Sequence, residues 1–401
     1  MASGTTFAAR GAISGAEEQP ALRPSALTTR VSDFWLLGGA SLVVWLAMIC
    51  LQGYRGSWAV DQHFKNLTVT AASLSVLVNY PHFLISYKLA YSRGLGFILL
   101  HWWQLLVVPV LLFALLAWAF MEYSVPMAQL PATTTLIRIV GQWGDNAQML
   151  SGPRLGDALF GLMFNLMVLT VGWHYTKQVF GCMMVYAYFD QYPLSKLQRM
   201  VAKWALLSIW WLNIAYGNRR SEQQEFSLFR YYSFDLPDIA VPLTTAIVAI
   251  GILAMLYEVV WTNYKKHHRL PSLNFLVPAV ALYAWWLPAT RQFEFYFLLT
   301  PLFHSLQYLT FVYKMENTRL RGMRHPEVRG AVLVLGVVLA GWLAFELVPN
   351  EMDNALKTFE AWQMFFFFTA ATLFINIHHY FLDNVLWRFK DPHVRQYLLN
   401  S

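Results

Sequence analysis

Apolar stretches about 20 residues long recur along most of this 401-residue chain, and they constrain its fold more than any short motif does. A helix of that length crosses a hydrocarbon core of ~30 Å. In lipid, every backbone N–H and C=O needs an internal partner, which for isolated stretches means helices. The pattern predicts ten spans, over 34–52, 66–88, 95–120, 156–189, 198–216, 239–262, 273–290, 292–314, 330–348 and 360–387. The expected fold is all-α: a polytopic membrane helix bundle of about ten transmembrane helices with both termini cytoplasmic. Charged residues make up only 13% of the chain, about half the usual share of a soluble domain. The fourth span exceeds an untilted crossing and is expected to tilt, kink near Gly172 or extend beyond the bilayer. The seventh and eighth are expected to form a tight hairpin around Arg291, where Arg291 and Glu294 can pair.

The loops orient the bundle. With the N-terminus inside, 19 of the 29 lysines and arginines fall on the cytoplasmic side and 9 outside, with Lys177 alone within a span. Lys and Arg in short loops set topology, and an odd number of spans would scramble the asymmetry. The net charge of +7 does not point to nucleic acid, because the basic residues lie between apolar stretches rather than on one face. Residues 1–32 read as a disordered cytoplasmic tail, 33–390 as a single transmembrane domain and 391–401 as a cytoplasmic C-terminal tail. The N-terminal segment has no apolar core and is not a secretory signal, while Glu17 and Glu18 argue against an organelle transit peptide. A multi-pass protein of the bacterial inner membrane is the expected setting, with the lipid bilayer as its partner. Segments 121–155 and 217–238 read as interfacial, the second alternatively as a lid. No internal repeat is visible, which weighs against a transporter. Cys50 and Cys182 fit neither a disulfide framework nor a CxxC site.

Eleven histidines occur, and six fall within spans: His82, His101, His174, His304, His378 and His379. Each costs a few kcal/mol at a helix centre, so six need a reason. Counting from Lys88, Arg93, Lys314 and Arg388 at 1.5 Å per residue, His82, His101, His304, His378 and His379 lie roughly 9–15 Å from the cytoplasmic boundary, and His174 is no shallower. Several helices therefore carry imidazole at one level. Neutral imidazole is a common metal ligand, and bundles bind metal with side chains from facing helices. All six are candidate metal ligands, with separate structural or gating histidines as the plain alternative.

Nearby residues add candidate catalytic groups: Asp383, Lys177 and Tyr308. Asp383 shares a face with His379 at i, i+4; it can orient a ligand, bind metal or pair with a basic residue. Lys177 and Gln178 share a face with His174, and Lys177 can hold an anion, tune a proton or snorkel. Gln307 and Tyr308 follow His304, and Asn79 precedes His82 across Pro81, where a distorted helix is expected. These amides and phenols suit either a site or interhelical hydrogen bonds. Imidazole suits Zn, Cu, Fe and Ni. With no HExxH and abundant Trp and Phe nearby, redox chemistry fits better than zinc hydrolysis.

Histidines spread singly over several membrane helices resemble the Brp/Blh-type carotenoid-cleaving oxygenases, and cytoplasm-side clusters resemble membrane desaturases and hydroxylases. The strings carrying the likeness are Asn79-Tyr-Pro-His82, Gly172-Trp-His-Tyr175, Phe303-His-Ser-Leu-Gln-Tyr308 and His378-His-Tyr-Phe-Leu-Asp383. The HxxxH and HxxHH boxes of desaturases are absent. The resemblance implies an iron-dependent oxygenase or oxidoreductase acting on an apolar lipid or isoprenoid substrate, served by an electron donor. Copper and haem are alternative cofactors. The competing functions are a haem-b or quinone-linked electron carrier and a proton-coupled transporter using His174, Lys177 and Asp383.

Overall fold

A computed structural model describes residues 25–55, 70, 73–121, 155–219, 225–226, 229–230, 234–291, 296–355 and 366–399. Among these the chain is helical, apart from the paired strands Glu225–Phe226 and Phe229–Arg230 and one isolated bridge. The principal helices are α1 (30–55), α2 (Asn79–Tyr91), α3 (95–121), α4 (Leu155–Phe189), α5 (Lys196–Gly217), α6 (Ala240–His267), α7 (Leu273–Trp286), α8 (Tyr296–Leu320), α9 (Pro326–Ala355) and α10 (Phe366–Leu386). Each of the ten expected intervals carries one of them.

Five of these helical stretches are long and apolar enough to cross a membrane: Arg30–Leu51, Trp103–Met121, Leu159–Phe189, Ala240–His267 and Pro326–Ala355. In α9 only 11% of the apolar window is buried, and Val328, Val332, Leu335 and Leu339 lie open on its surface. A bare apolar face of that extent suits a membrane protein. α8 and α10 have the length but not the hydropathy, because they carry His304, Gln307, Lys314 and Glu316, and His378, His379 and Asp383.

Local signals set several boundaries. α5 opens with a capping box between Ser195 and Gln198, and Ser272 caps α7 through the Phe275 N–H. α1 breaks at Gly38, where a Cβ would lie 2.8 Å from the Val277 carbonyl oxygen. Beside that break, the Leu37 carbonyl accepts from Gln307 Nε2 (2.5 Å), tying α1 to α8. α4 runs as one unbroken 35-residue α-helix through Gly172, where a kink is one of the three alternatives for this long span. Gly172 instead admits the Trp210 indole of α5, since a Cβ there would fall 2.3 Å from its ring. Within the segment expected as tail, residues 25–32 are described and are tied to the bundle. Leu27 is buried, and Asp33 holds the Leu27 and Thr28 N–H groups and accepts from the Tyr186 hydroxyl. Glu294 of the Arg291–Glu294 pair, residues 122–154, and residues 220–224, 227–228 and 231–233 lie outside the described residues.

α10 is central. Phe366, Ala370, Leu373 and Ile377 pack with Val108 and Leu112 of α3 and Phe160 and Met163 of α4. Further along, Leu382, Val385 and Leu386 pack with Ile85 and Leu89 of α2 and Tyr308 and Val312 of α8. Between these two apolar layers α2, α4, α8 and α10 meet, and there the histidines gather.

Candidate metal centre

α2 starts at Asn79 after a non-helical turn at Val78. Pro81 therefore sits in a first helical turn, where its missing N–H costs nothing. The distortion expected near Pro81 is this break, and it places Asn79 and His82 one turn apart facing α8. α4 supplies His174, α8 His304, and α10 His379 and Asp383. All six side chains are buried or, for Asn79, partly buried.

The rings touch. Centroids lie 4.4 Å apart for His82 and His379, 4.7 Å for His174 and His304, 5.0 Å for His174 and His379, and 5.2 Å for His82 and His304. One donor atom from each of His82, His174, His379 and Asp383 falls within 4.8 Å of all the others. Ligands at about 2.1 Å from a metal sit at most ~4.2 Å apart when opposite each other and ~3.4 Å apart in a tetrahedral set, so the group would close by about 0.6 Å or more at its widest.

Two serines fix the proton positions. Ser86 Oγ donates to the Phe83 carbonyl (2.5 Å), so toward His379 Nδ1, 2.8 Å away, it can only accept. Ser305 Oγ donates to Asn79 Oδ1 (2.8 Å) and likewise accepts from His82 Nδ1 at 3.1 Å. A hydroxyl has one proton, and a neutral imidazole carrying its proton on Nδ1 has a lone pair on Nε2. Both Nε2 atoms are buried without a hydrogen-bond partner. A buried polar atom left unpaired costs about 1–3 kcal/mol, and here two are left facing one space. Asp383 adds a third acceptor: Oδ1 takes the Tyr308 hydroxyl (2.8 Å), while Oδ2 lies 3.4 Å from His379 Nε2 and 3.6 Å from His174 Nδ1. Lone pairs and a carboxylate oxygen converging out of reach of water fit a cation between them.

His304 buttresses this group. Its Nε2 lies 2.8 Å from His174 Nε2, and its ring stacks on Tyr175 at 3.8 Å. When His174 offers Nδ1 as a lone pair, its proton lies on Nε2 and passes to His304 as a hydrogen bond. Gln178 Nε2 holds the His304 carbonyl (2.9 Å) and Gln307 Oε1 (3.2 Å).

Two of the six candidate histidines are not brought to the centre. His378 has both nitrogens engaged, Nδ1 with the Tyr87 hydroxyl (3.0 Å) and Nε2 with the Gln104 carbonyl (3.1 Å). Adjacent helical residues point about 100° apart, so only one of His378 and His379 can face inward. His101 sits where α3 breaks into a π-helical turn, with its ring on Phe97 at 4.6 Å. Lys177 donates to Asn384 Oδ1 (2.6 Å) and lies over the Trp173 ring at 4.7 Å. Sequence reasoning missed Ser86, Ser305, Tyr175 and Asn384. Tyr175 and Ser305 stood within noted strings, but nothing in their spacing marks Tyr175 as a partner of His304 or Ser305 as a partner of His82.

A cavity of about 200 Å³ adjoins the group, lined by His174, Lys177, Gln178, Tyr308 and Asp383 at one end and by Phe180, Gly181, Cys182, Phe311, Trp387 and Phe389 beyond. Cys182 is a free, buried thiol. Compared with protein-family models, curated proteins and solved structures, the chain matches none.

Proposed function

We propose that this chain is a membrane-embedded metalloenzyme, an iron-dependent oxygenase or oxidoreductase acting on an apolar lipid or isoprenoid. The observation that carries it is the grouping of one donor atom from each of His82, His174, His379 and Asp383 within 4.8 Å of one another, with the Nε2 atoms of His82 and His379 buried and unpaired. His82, His174, His379 and Asp383 would hold the metal. Imidazoles with one carboxylate are the ligand set of many non-haem iron oxygenases. When bound, the metal would supply the redox chemistry that turns oxygen on a C–H or C=C bond. Tyr308 fixes the Asp383 carboxylate, His304 steers the His174 proton, and the aromatic cavity holds the substrate in a dry site. An electron donor is the partner such chemistry requires.

The non-haem reading is favoured over haem by the ring contacts, which leave no flat gap between the imidazoles for a porphyrin. In this reading all ten helices cross a bacterial inner membrane, with both termini cytoplasmic and the histidines in the cytoplasmic half. The loop charges support that orientation.

Elemental analysis of gently extracted protein tests the proposal. About one iron per chain is expected, falling severalfold in His82→Ala and His379→Ala. Less than one metal per several chains, of any element, overturns it, and a Soret band replaces it with the haem reading.

A further inference from the structure

On α4, Trp173, Lys177, Phe180, Gly181, Met184 and Tyr188 recur at helical spacing, and each is partly exposed. They form the floor of a groove. α10 makes one wall: Lys177 Nζ donates to Asn384 Oδ1 (2.6 Å), and Arg388 Nε, one turn on, donates to the Asn384 carbonyl (3.1 Å). α5 makes the other. It packs antiparallel to α4, with the Trp210 indole against Gly172. Seven residues back along α5 lies Lys203, on the same face as Trp210, and seven residues forward along α4 lies Val179, just past Lys177.

Arg388 and Lys203 accordingly lie close enough to Lys177 for their charges to act on it. None of the three forms an ion pair among the described residues. The acid that acts on Lys177, Asp383, is buried and faces the histidines. Arg199 and Lys196 carry the exposed positive stripe one and two turns further along α5. Charges this close are only partly screened by salt. An anion seated among them relieves their repulsion, a cation worsens it, and a neutral head leaves it as it stands. The floor beneath is largely apolar and opens into the aromatic cavity, because Lys177, Phe180 and Gly181 line both and Phe311, Trp387 and Phe389 stand beyond. A free phosphate would leave those rings uncovered, whereas a hydrocarbon chain fills the space they enclose.

We infer that this groove seats a single-chain acidic lipid, with its carboxylate or phosphate head among Lys177, Lys203 and Arg388 and its chain in the aromatic cavity toward His174 and Asp383. The inference deepens the proposed metalloenzyme reading by naming the substrate class, and rests on it only for calling the occupant a substrate.

The test is binding to the full chain in phosphatidylcholine nanodiscs, measured by equilibrium dialysis and corrected for uptake by empty discs. Dodecyl phosphate, dodecanoate, dodecanol and dodecyltrimethylammonium are titrated in parallel. Both anions are expected to bind saturably and at least tenfold tighter than the alcohol, since each basic residue near an anionic head contributes roughly fivefold. Alcohol or cation binding as tight as that of the anions, or anion uptake no greater than that of empty discs, overturns the inference. Lys203→Gln combined with Arg388→Gln removes two exposed charges. The double variant is expected to bind both anions at least tenfold more weakly and the alcohol as before; unchanged anion binding overturns the place given to the head. Gly181→Leu locates the chain. A Cβ at Gly181 meets nothing within 4 Å, so leucine enters the mouth of the cavity without a clash and strengthens a helix interior. It is expected to weaken anion binding at least tenfold; unaltered binding overturns the placement of the chain in the cavity. Metal content is read on the same samples. A metal-free chain that still prefers the anions supports the seat and defeats only the metal reading. A metal-loaded chain without that preference defeats the seat alone.

Discussion

Ser86→Ala separates a tuned metal centre from a mere cluster of histidines. Ser86 Oγ accepts the His379 Nδ1 proton at 2.8 Å and so keeps the lone pair on Nε2, facing Asp383. Alanine takes away the acceptor and changes little volume. The Nδ1–H form is then left with an unpaired buried donor, which costs about 1–3 kcal/mol. The other tautomer places its proton on Nε2, where Asp383 Oδ2 lies 3.4 Å away and can receive it after a small shift. That form is satisfied by the protein but cannot ligate. Metal binding must reverse the exchange, so affinity should fall by about 10–100-fold, the usual effect of removing the partner of a ligating histidine. In free energy that is roughly 1.4–2.7 kcal/mol. The metal-free protein should lose less stability than this, because it can relax into the second tautomer. Competition titration of iron(II) or zinc against a chelator measures the affinity, and thermal unfolding of the stripped protein gives the comparison. Affinity within threefold of wild type, alongside a clear loss in His379→Ala, would refute the proton assignment and with it the argument from unpaired Nε2 atoms.

Further outcomes follow from the same geometry. His378→Ala should leave metal affinity within about threefold while lowering stability by about 1–3 kcal/mol, since it strands the Tyr87 hydroxyl and the Gln104 carbonyl; metal titration and thermal unfolding read the two effects separately. Asp383→Asn keeps the shape and an oxygen for Tyr308 but removes the charge, so metal affinity should drop by roughly 100-fold or more, with the metal-free variant no less stable than metal-free wild type. At the end of the bundle, Asp391 takes a two-pronged contact from Arg93 (2.7 and 2.9 Å) and caps the short terminal helix at the His393 N–H (2.9 Å). Burial alone would raise the Asp391 carboxyl; the Arg93 guanidinium and the His393 N–H outweigh it and hold the group below the usual carboxylate range. Its stabilisation is therefore complete above the unfolded value near pH 4 and is lost as pH falls through the lower folded value. Acid titration of unfolding should show this loss in wild type and not in Asp391→Asn.

The helices were legible because lipid enforces one apolar length, and the shared level of His82, His304 and His379 was legible because the helical rise is fixed. Counting from Lys88, Lys314 and Arg388 needs no knowledge of packing. Rotation about each helix axis was not legible, and it decides what meets. His101 lies at a matching depth, yet α3 breaks at that residue and its ring turns to Phe97. Ser86 and Ser305 were hidden for a related reason. A helical serine commonly bonds a carbonyl of its own previous turn, as Ser86 does with Phe83, and only the neighbouring helix makes that bond decide a histidine's proton. Hydropathy divides the described helices for a similar reason: α8 and α10 have the length of a crossing but fall short in hydropathy, because they hold polar residues that pack against other helices.

The choice between His378 and His379 shows how far away such a decision can be made. The two differ by one position on α10, and either could have faced α2 and α4. In α3 the Val108 N–H bonds the Trp103 carbonyl, and the next residue, Pro109, has no N–H to give. The Gln104 carbonyl is thereby left to another donor, and His378 Nε2 supplies it. In lipid an unpaired carbonyl is costly, so a proline on α3 holds His378 outward and leaves His379 to face Ser86 and Asp383. Filling the gap at Pro109 with a residue that has an N–H, as in Pro109→Ala, should therefore loosen His378 without touching any ligand. The effect would be the one expected of His378→Ala, a loss of stability seen in thermal unfolding with metal affinity within about threefold.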